Sequence, residues 1–231
     1  MQAANASVIA MNVLTAPNVA FAALKERPSF LVPLLLLLGA AALTTFLYMN
    51  GVDLVWFFEQ QAQQNPNVTE EQTAAFGRFL SRVPQAGVAV VLALLGVMSV
   101  GVLLLLQSFY LKIVTWIARD GVSYKHWFSL AAWCALPSLL TSLASVVNLL
   151  TSDLSLMPQQ AVNPLSFANL AGLEYSADGA GRLLAGYDPI RIWSLVLMAL
   201  CYRSFTGRPL IAAAGIVMLP TLVIVTLTLI S

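Results

Sequence analysis

The sequence predicts an all-α, polytopic membrane bundle of five transmembrane helices with short amphipathic helices on its surfaces. Three observations predict it. Of 231 residues, 59% are hydrophobic and 9% are charged, whereas a soluble domain carries about 25% charged residues. The apolar residues gather into runs of about 20, long enough as helices to cross a hydrocarbon core of roughly 30 Å. These runs are continuous, unlike the alternating segments of about 10 residues in an outer-membrane barrel. Lipid offers no partner for backbone N–H and C=O groups, so helices are the expected spanning form. A net charge of +1, with no block of Lys or Arg, excludes a general attraction for nucleic acid.

Four runs carry no charge: 30–49, 87–106, 127–150 and 209–230. The fifth, 190–206, is shorter and has Arg191 and Arg203 near its ends. It spans only if both side chains reach the interfaces, as long cationic side chains can. We expect one domain over residues 1–231. The first 29 residues lack a basic start and a long apolar run, so the first span is expected to serve as an uncleaved insertion signal. The second run keeps a helical pattern to Ala118, with Gly121 as its expected cap, and its end should project beyond the bilayer.

Sidedness follows from the cations of the short connections. Lys25, Arg27, Lys112, Arg119, Lys125, Arg203 and Arg208 fall on one side. Arg78, Arg82, Arg182 and Arg191 fall on the other, in longer segments that hold Asp53, Glu59, Glu70, Glu71, Asp153, Glu174, Asp178 and Asp188. This predicts a cytoplasmic N-terminus and an external C-terminus, and it works only with an odd number of spans. The location expected is the plasma membrane, a bacterial inner membrane.

The connecting pieces carry their own signals. Residues 17–27 read as a short helix with Pro17 in its first turn and Pro28 at its end. Phe21 and Leu24 share a face, so the helix should lie on the cytoplasmic surface. Trp56, Phe57 and Phe58 fall where an aromatic belt is expected. Thr69-Glu70-Glu71-Gln72 is a capping box that should start a helix near Glu70. Short helices are expected near Ser166 and Arg182. Asn67-Val68-Thr69 has the form of a glycosylation sequon, to which no weight attaches.

The third run holds the main candidate site. Cys134, Ser138, Thr141, Ser142, Ser145, Asn148 and Ser152 fall within roughly 120° of arc at about 100° per residue. Such a face either packs helices closely or lines a polar groove for a solute or headgroup. Pro137 removes a backbone hydrogen bond and exposes a carbonyl. Asp188-Pro189-Ile190-Arg191 reads as a helix start with Asp at the cap and Pro first. Asp188 and Arg191, three apart, could also pair and guard the mouth of a cavity. Ser108, Lys112, Thr115 and Arg119 share a face and predict a cytoplasmic polar ridge, with Lys112 and Arg119 as its charges. His126 reads as an interface residue, Cys134 and Cys201 as apolar fillers, and Gly96 and Gly101 as packing notches. No nucleophile elbow, metal-ligand spacing or phosphate loop occurs, so neither catalytic residues nor cofactors nor metals are expected. No run carries a central carboxylate or a pair of interruptions of the kind seen in coupled transporters.

Three stretches carry a family resemblance: Pro17-Asn18-Val19-Ala20-Phe21 before Pro28; Gly121-Val122-Ser123-Tyr124-Lys125 followed by Trp133-Cys134-Ala135-Leu136-Pro137; and Tyr187-Asp188-Pro189-Ile190-Arg191-Ile192-Trp193. In their order and spacing the chain resembles the Yip domain family of Ypt/Rab-interacting five-span membrane proteins, in its bacterial form. The resemblance implies five spans, a cytoplasmic N-terminus and membrane organisation or trafficking through protein partners. The Asp-Leu-Tyr-Gly-Pro motif of the eukaryotic branch is absent and the N-terminal segment is short, so a prenylated small GTPase is not an expected partner. The function expected is that of a non-enzymatic scaffold or adaptor, oligomeric, with lipids or membrane proteins as partners. The alternative is a transporter or channel for a small solute, ion or lipid that uses the polar face of the third span.

Overall fold

The structure is a computed structural model and describes residues 5–63, 68–176 and 178–230. Asn67 of the sequon and the C-terminal Ser231 lie outside the described residues. The described residues form twelve α-helices and one 3₁₀ turn, Gln159–Ala161, with no strand. In order they are α1 Ala6–Thr15, α2 Pro17–Glu26, α3 Leu31–Gly51, α4 Leu54–Gln63, α5 Glu70–Leu80 and α6 Gln85–Ile117. There follow α7 Tyr124–Cys134, α8 Ser138–Thr151, α9 Phe167–Leu170, α10 Gly179–Gly186, α11 Pro189–Thr206 and α12 Leu210–Ile230. By length and composition α3, α6 and α12 can each cross a membrane. The pairs α7 with α8, bent by 41°, and α10 with α11, bent by 75°, bring the number to five if each pair is one span.

The expected interruptions thus differ from the observed ones. One run, 127–150, is broken where the sequence predicts none; the run 190–206 lies unbroken within α11, and the 75° bend falls before it, at the expected helix start. The break between α7 and α8 follows from Pro137, which has no N–H to continue the ladder. Around it the chain tightens into i→i−3 bonds: Leu136 N–H donates to Trp133 O, Ser138 N–H to Ala135 O and Leu140 N–H to Pro137 O. The carbonyls of Trp133, Ala135 and Pro137 are therefore satisfied, and none is left open as the sequence suggests.

Helices α3 and α6 pack along their length. A Cβ on Gly96 would sit 3.0 Å from Thr45 Oγ1 of α3, so this glycine is a packing notch. Gly101 faces open space and is not. Gln85 opens α6 by donating from its amide to the carbonyls of Asn50 (3.0 Å) and Val52 (2.8 Å), which ties α6 to the end of α3.

Two buried clusters fill the two ends. The larger gathers α1, α2, α6, α7, α11 and α12 around Trp127, Trp133 and Tyr202. Helix α2 does not spread its apolar face on lipid: Phe21 and Leu24 are both 0% exposed and pack into this cluster. The reason is that α7 and α11 offer a deeper apolar surface than the interface does. Helix α1, unpredicted, joins through Ile9 and Val13. The second cluster joins Tyr48, Phe57, Leu149 and Met157. Phe57 lies inside it, edge to face with Tyr48 and Phe58, so it is a core residue and not part of an exposed belt. The expected capping box is present: Gln72 N–H donates to Thr69 Oγ1, and Thr69 N–H to Gln72 Oε1.

The end of α6 corrects another expectation. Its left-handed residue is Arg119, at φ 58°, and Gly121 follows at φ 70°. Arg119 N–H donates to Trp116 O and Asp120 N–H to Thr115 O, the 5→2 and 6→1 bonds of a Schellman motif. A non-glycine there costs about 1–2 kcal/mol. Arg119→Gly should therefore raise stability by about 1 kcal/mol, and Gly121→Ala should lower it by a similar amount. Thermal unfolding in detergent checks both signs.

Candidate functional site

Thr141 lies in the first turn of α8, and its hydroxyl donates to Asp188 Oδ2 at 3.3 Å. Asn148, two turns on, donates from its amide to Ala161 O at 2.8 Å. Ser145 between them is buried, whereas Ser138 and Ser142 are half-buried. Helix α8 packs against α3 and α11. The structure thus brings this face together with Asp188 and the segment from Ala161 to Asn163. Cys134 sits beyond the break in α7, buried, as does Cys201 in α11.

Asp188 is 6% exposed. Its carboxylate caps α11 by accepting the Arg191 N–H at 2.7 Å, and it also accepts from Asn163 Nδ2 at 3.0 Å. Pro189 takes the first helical position, so the predicted start of this helix is borne out. The mouth pair is not: among the described residues no ion pair joins Asp188 to the Arg191 side chain. The Arg191 guanidinium instead lies 4.8 Å over the Tyr187 ring. The carboxylate is held by neutral donors and by the positive end of the α11 dipole. Thr141 stands ten residues before the end of α8, about 15 Å along its axis. Asp188 therefore caps α11 well inside the bundle, which is why the fourth run is short. Asp188 lies between runs, so no run carries a carboxylate, as the sequence expects; what the sequence does not show is that Asp188 is buried, brought against Thr141 and Asn163 by the fold.

The predicted ridge on α6 is split. Ser108 and Thr115 are fully buried and donate to the carbonyls of Leu104 (2.6 Å) and Leu111 (2.8 Å). Thr115 Oγ1 also accepts from Trp127 Nε1 at 3.0 Å. Lys112 turns outward and donates to Val122 O at 2.9 Å. Arg119 has left the helix. The 3.6-residue period placed these four on one face, but α7 covers half of that face.

A tight polar knot that the sequence does not predict gathers before α3. Ser29 O, just before α3, accepts from Ser129 Oγ at 2.6 Å and Trp133 Nε1 at 2.7 Å. His126 bridges Ser123 Oγ (2.7 Å) and the Lys25 carbonyl (3.2 Å). Trp127 stacks on Tyr202 with ring centres 5.4 Å apart. Ser129 and Trp133, four apart on one face of α7, were the available signal. Arg208 binds Asp120 at 3.3 Å across the same end, and this bonded carboxylate holds the guanidinium above its ordinary pKa. Among the described residues no group of three His, Cys, Asp or Glu side chains is assembled as a metal could require.

Two expectations follow. Asp188→Ala removes a helix cap and leaves half-buried donors on Thr141 and Asn163 unpaired. It should destabilise the protein by about 3 kcal/mol, read as an earlier unfolding transition in detergent. At the start of α10, Asp178 accepts the Gly181 N–H at 2.7 Å, and this bond holds its carboxyl below the usual range. A depressed folded pKa gives stability that is present above the unfolded value of about 3.9 and lost as pH falls below it. Protection of the Gly181 amide, corrected for intrinsic exchange, should therefore drop below about pH 4, and Asp178→Asn should abolish that dependence.

The comparisons agree with the resemblance. The profile of the Yip1 domain family matches residues 11–231. The chain is 26% identical over 193 residues to "Membrane protein YknW" of Bacillus subtilis (strain 168), which covers 81% of this chain and 74% of that protein. No solved structure matches. A match over nearly the whole length, on a bundle of apolar helices, leaves one conclusion: the chain belongs to the Yip1 domain family.

Proposed function

We propose that the protein is a non-enzymatic, five-pass scaffold or adaptor of a bacterial inner membrane, with its N-terminus in the cytoplasm and its C-terminus outside. It acts by holding membrane proteins or lipids, as an oligomer or in a mixed assembly. One observation carries this reading: Thr141 and Asn148, two turns apart on the polar face of α8, are bonded within the protein itself. Thr141 and Asn148 bond to Asp188 and Ala161, and the clefts between α4 and α5 and at the end of α6 lie elsewhere. A face bonded internally serves packing. Sidedness is supported by the seven cations gathered at the end where α2, α6, α7 and α11 meet.

A second reading, passage of a small solute or ion, is favoured by a different observation. Two bent helix pairs, one of them capped by a buried carboxylate, are a feature of transporters. Reconstitution into liposomes separates the two. The scaffold reading expects no flux in an ion and solute screen, and specific membrane partners that co-purify. Flux abolished by Thr141→Val together with Asn148→Leu would establish transport instead. For the five-pass arrangement, single cysteines at Glu71 and Arg119 should label from opposite faces of intact cells. Labelling from the same face defeats it.

A further inference from the structure

A cleft of about 540 Å³ opens at the end of α6, lined by Lys112, Thr115, Trp116, Ile117, Arg119 and Gly121. A second cleft, of about 410 Å³ between α4 and α5, is lined mainly by apolar groups around Phe58 and Phe76. The α6 cleft differs from it in charge and in depth.

Its charge is positive and uncompensated. Among the described residues neither Lys112 nor Arg119 meets a carboxylate, and the neighbouring Asp120 is turned to Arg208. Lys112 gives one N–H to Val122 O and keeps two, since an ammonium has three. No acidic residue lines the cleft. Arg119 is held outside the helix at φ 58°, so its guanidinium is set on the rim by the backbone turn.

Its depth matches a headgroup layer. Gln85 is tied to the opposite end by its bonds to Asn50 and Val52. From Gln85 to Leu111 the helix carries no charge, and Lys112 is the first, about 40 Å along the axis. A bilayer is roughly 30 Å thick in hydrocarbon and about 40–45 Å with its headgroups. Lys112 therefore stands at the phosphate level of the far leaflet. Beside it Trp116 and Ile117 are each 71% exposed, an aromatic and an aliphatic group where the interface favours them. Acyl chains can lie on that apolar rim while a phosphate meets the two cations.

We propose that this cleft binds the phosphodiester headgroup of an anionic phospholipid. The inference deepens the scaffold reading, in which lipids are partners, and names the chemistry of one. Cations at the cytoplasmic end of a spanning helix attract the anionic headgroups of that leaflet. Lys112 supplies a point charge to the phosphate, and Arg119 a planar pair of donors.

The test uses the full chain in mild detergent, with bound lipid counted by native mass spectrometry. The probes are dioleoyl phosphatidylglycerol, dioleoyl phosphatidylcholine and glycerol 3-phosphate. One phosphatidylglycerol per chain should be retained over phosphatidylcholine by about twentyfold, roughly fivefold per cation. Arg119→Gly should cut the preference to about fivefold while the chain stays folded, since glycine suits that backbone. Adding Lys112→Gln should bring it near unity. Arg203→Gln, which removes a charge outside the cleft, should change nothing. An unchanged preference in Arg119→Gly, or an equal loss in Arg203→Gln, overturns the site in favour of diffuse attraction. Displacement of the lipid by millimolar glycerol 3-phosphate overturns the lipid assignment in favour of a soluble phosphoester. Binding in detergent does not depend on sidedness, so its failure is separate from failure of the labelling or flux experiments.

Discussion

A polar group inside lipid has no water to turn to, and the form of this bundle follows from how each break in its helices meets that demand. Where α7 ends and α8 begins, Pro137 cannot donate, and the chain answers with a run of shorter i→i−3 bonds. Where residues 152–187 return to start α11, the exposed N–H groups of a new helix are met by Asp188. Just before α3 begins, the Ser29 carbonyl is met by Ser129 and Trp133. Each solution pins one element to another, so satisfying the backbone also fixes the packing.

The Asp188 knot shows the cost and the use of this arrangement. A carboxylate taken out of water is expensive unless bonded. Here one carboxylate receives donors from three separate elements: α8, the segment at Asn163, and α11. It lets α11 begin deep in the bundle, and so an 18-residue helix can still reach the opposite end. The two buried clusters are built differently. One end is closed by Trp127 of α7 stacked on Tyr202 of α11, with α2 packed into the same cluster, the other by edge-to-face rings around Tyr48 and Phe57. The first helices, α1 and α2, are part of the core at the Trp127 end and not an appendage to it.

Much of this was legible in the chain. Charge-free runs mark α3, α6 and α12, because only composition is needed to judge fitness for lipid. Local bonding patterns were equally plain. Thr69 with Gln72, Asp188 with Pro189, and Ser166 before α9 all cap the helices expected of them. The left-handed turn after α6 was expected at Gly121 but falls first on Arg119. Its position is set by where α6 must stop to let α7 pack. Gly96 and Gly101 look alike in sequence, and only one faces a neighbour.

What the sequence by itself determined is which segments prefer lipid, where helices start, and which faces are polar. These depend on side-chain transfer energies and on contacts within one turn. What only the tertiary structure decided is where a polar face is directed. Thr141 and Asn148 are drawn to Asp188 and Ala161, 47 and 13 residues away, and α2 is drawn into the core and not onto the bilayer. Those outcomes turn on contacts between elements far apart in the chain, which periodicity within a single helix does not encode.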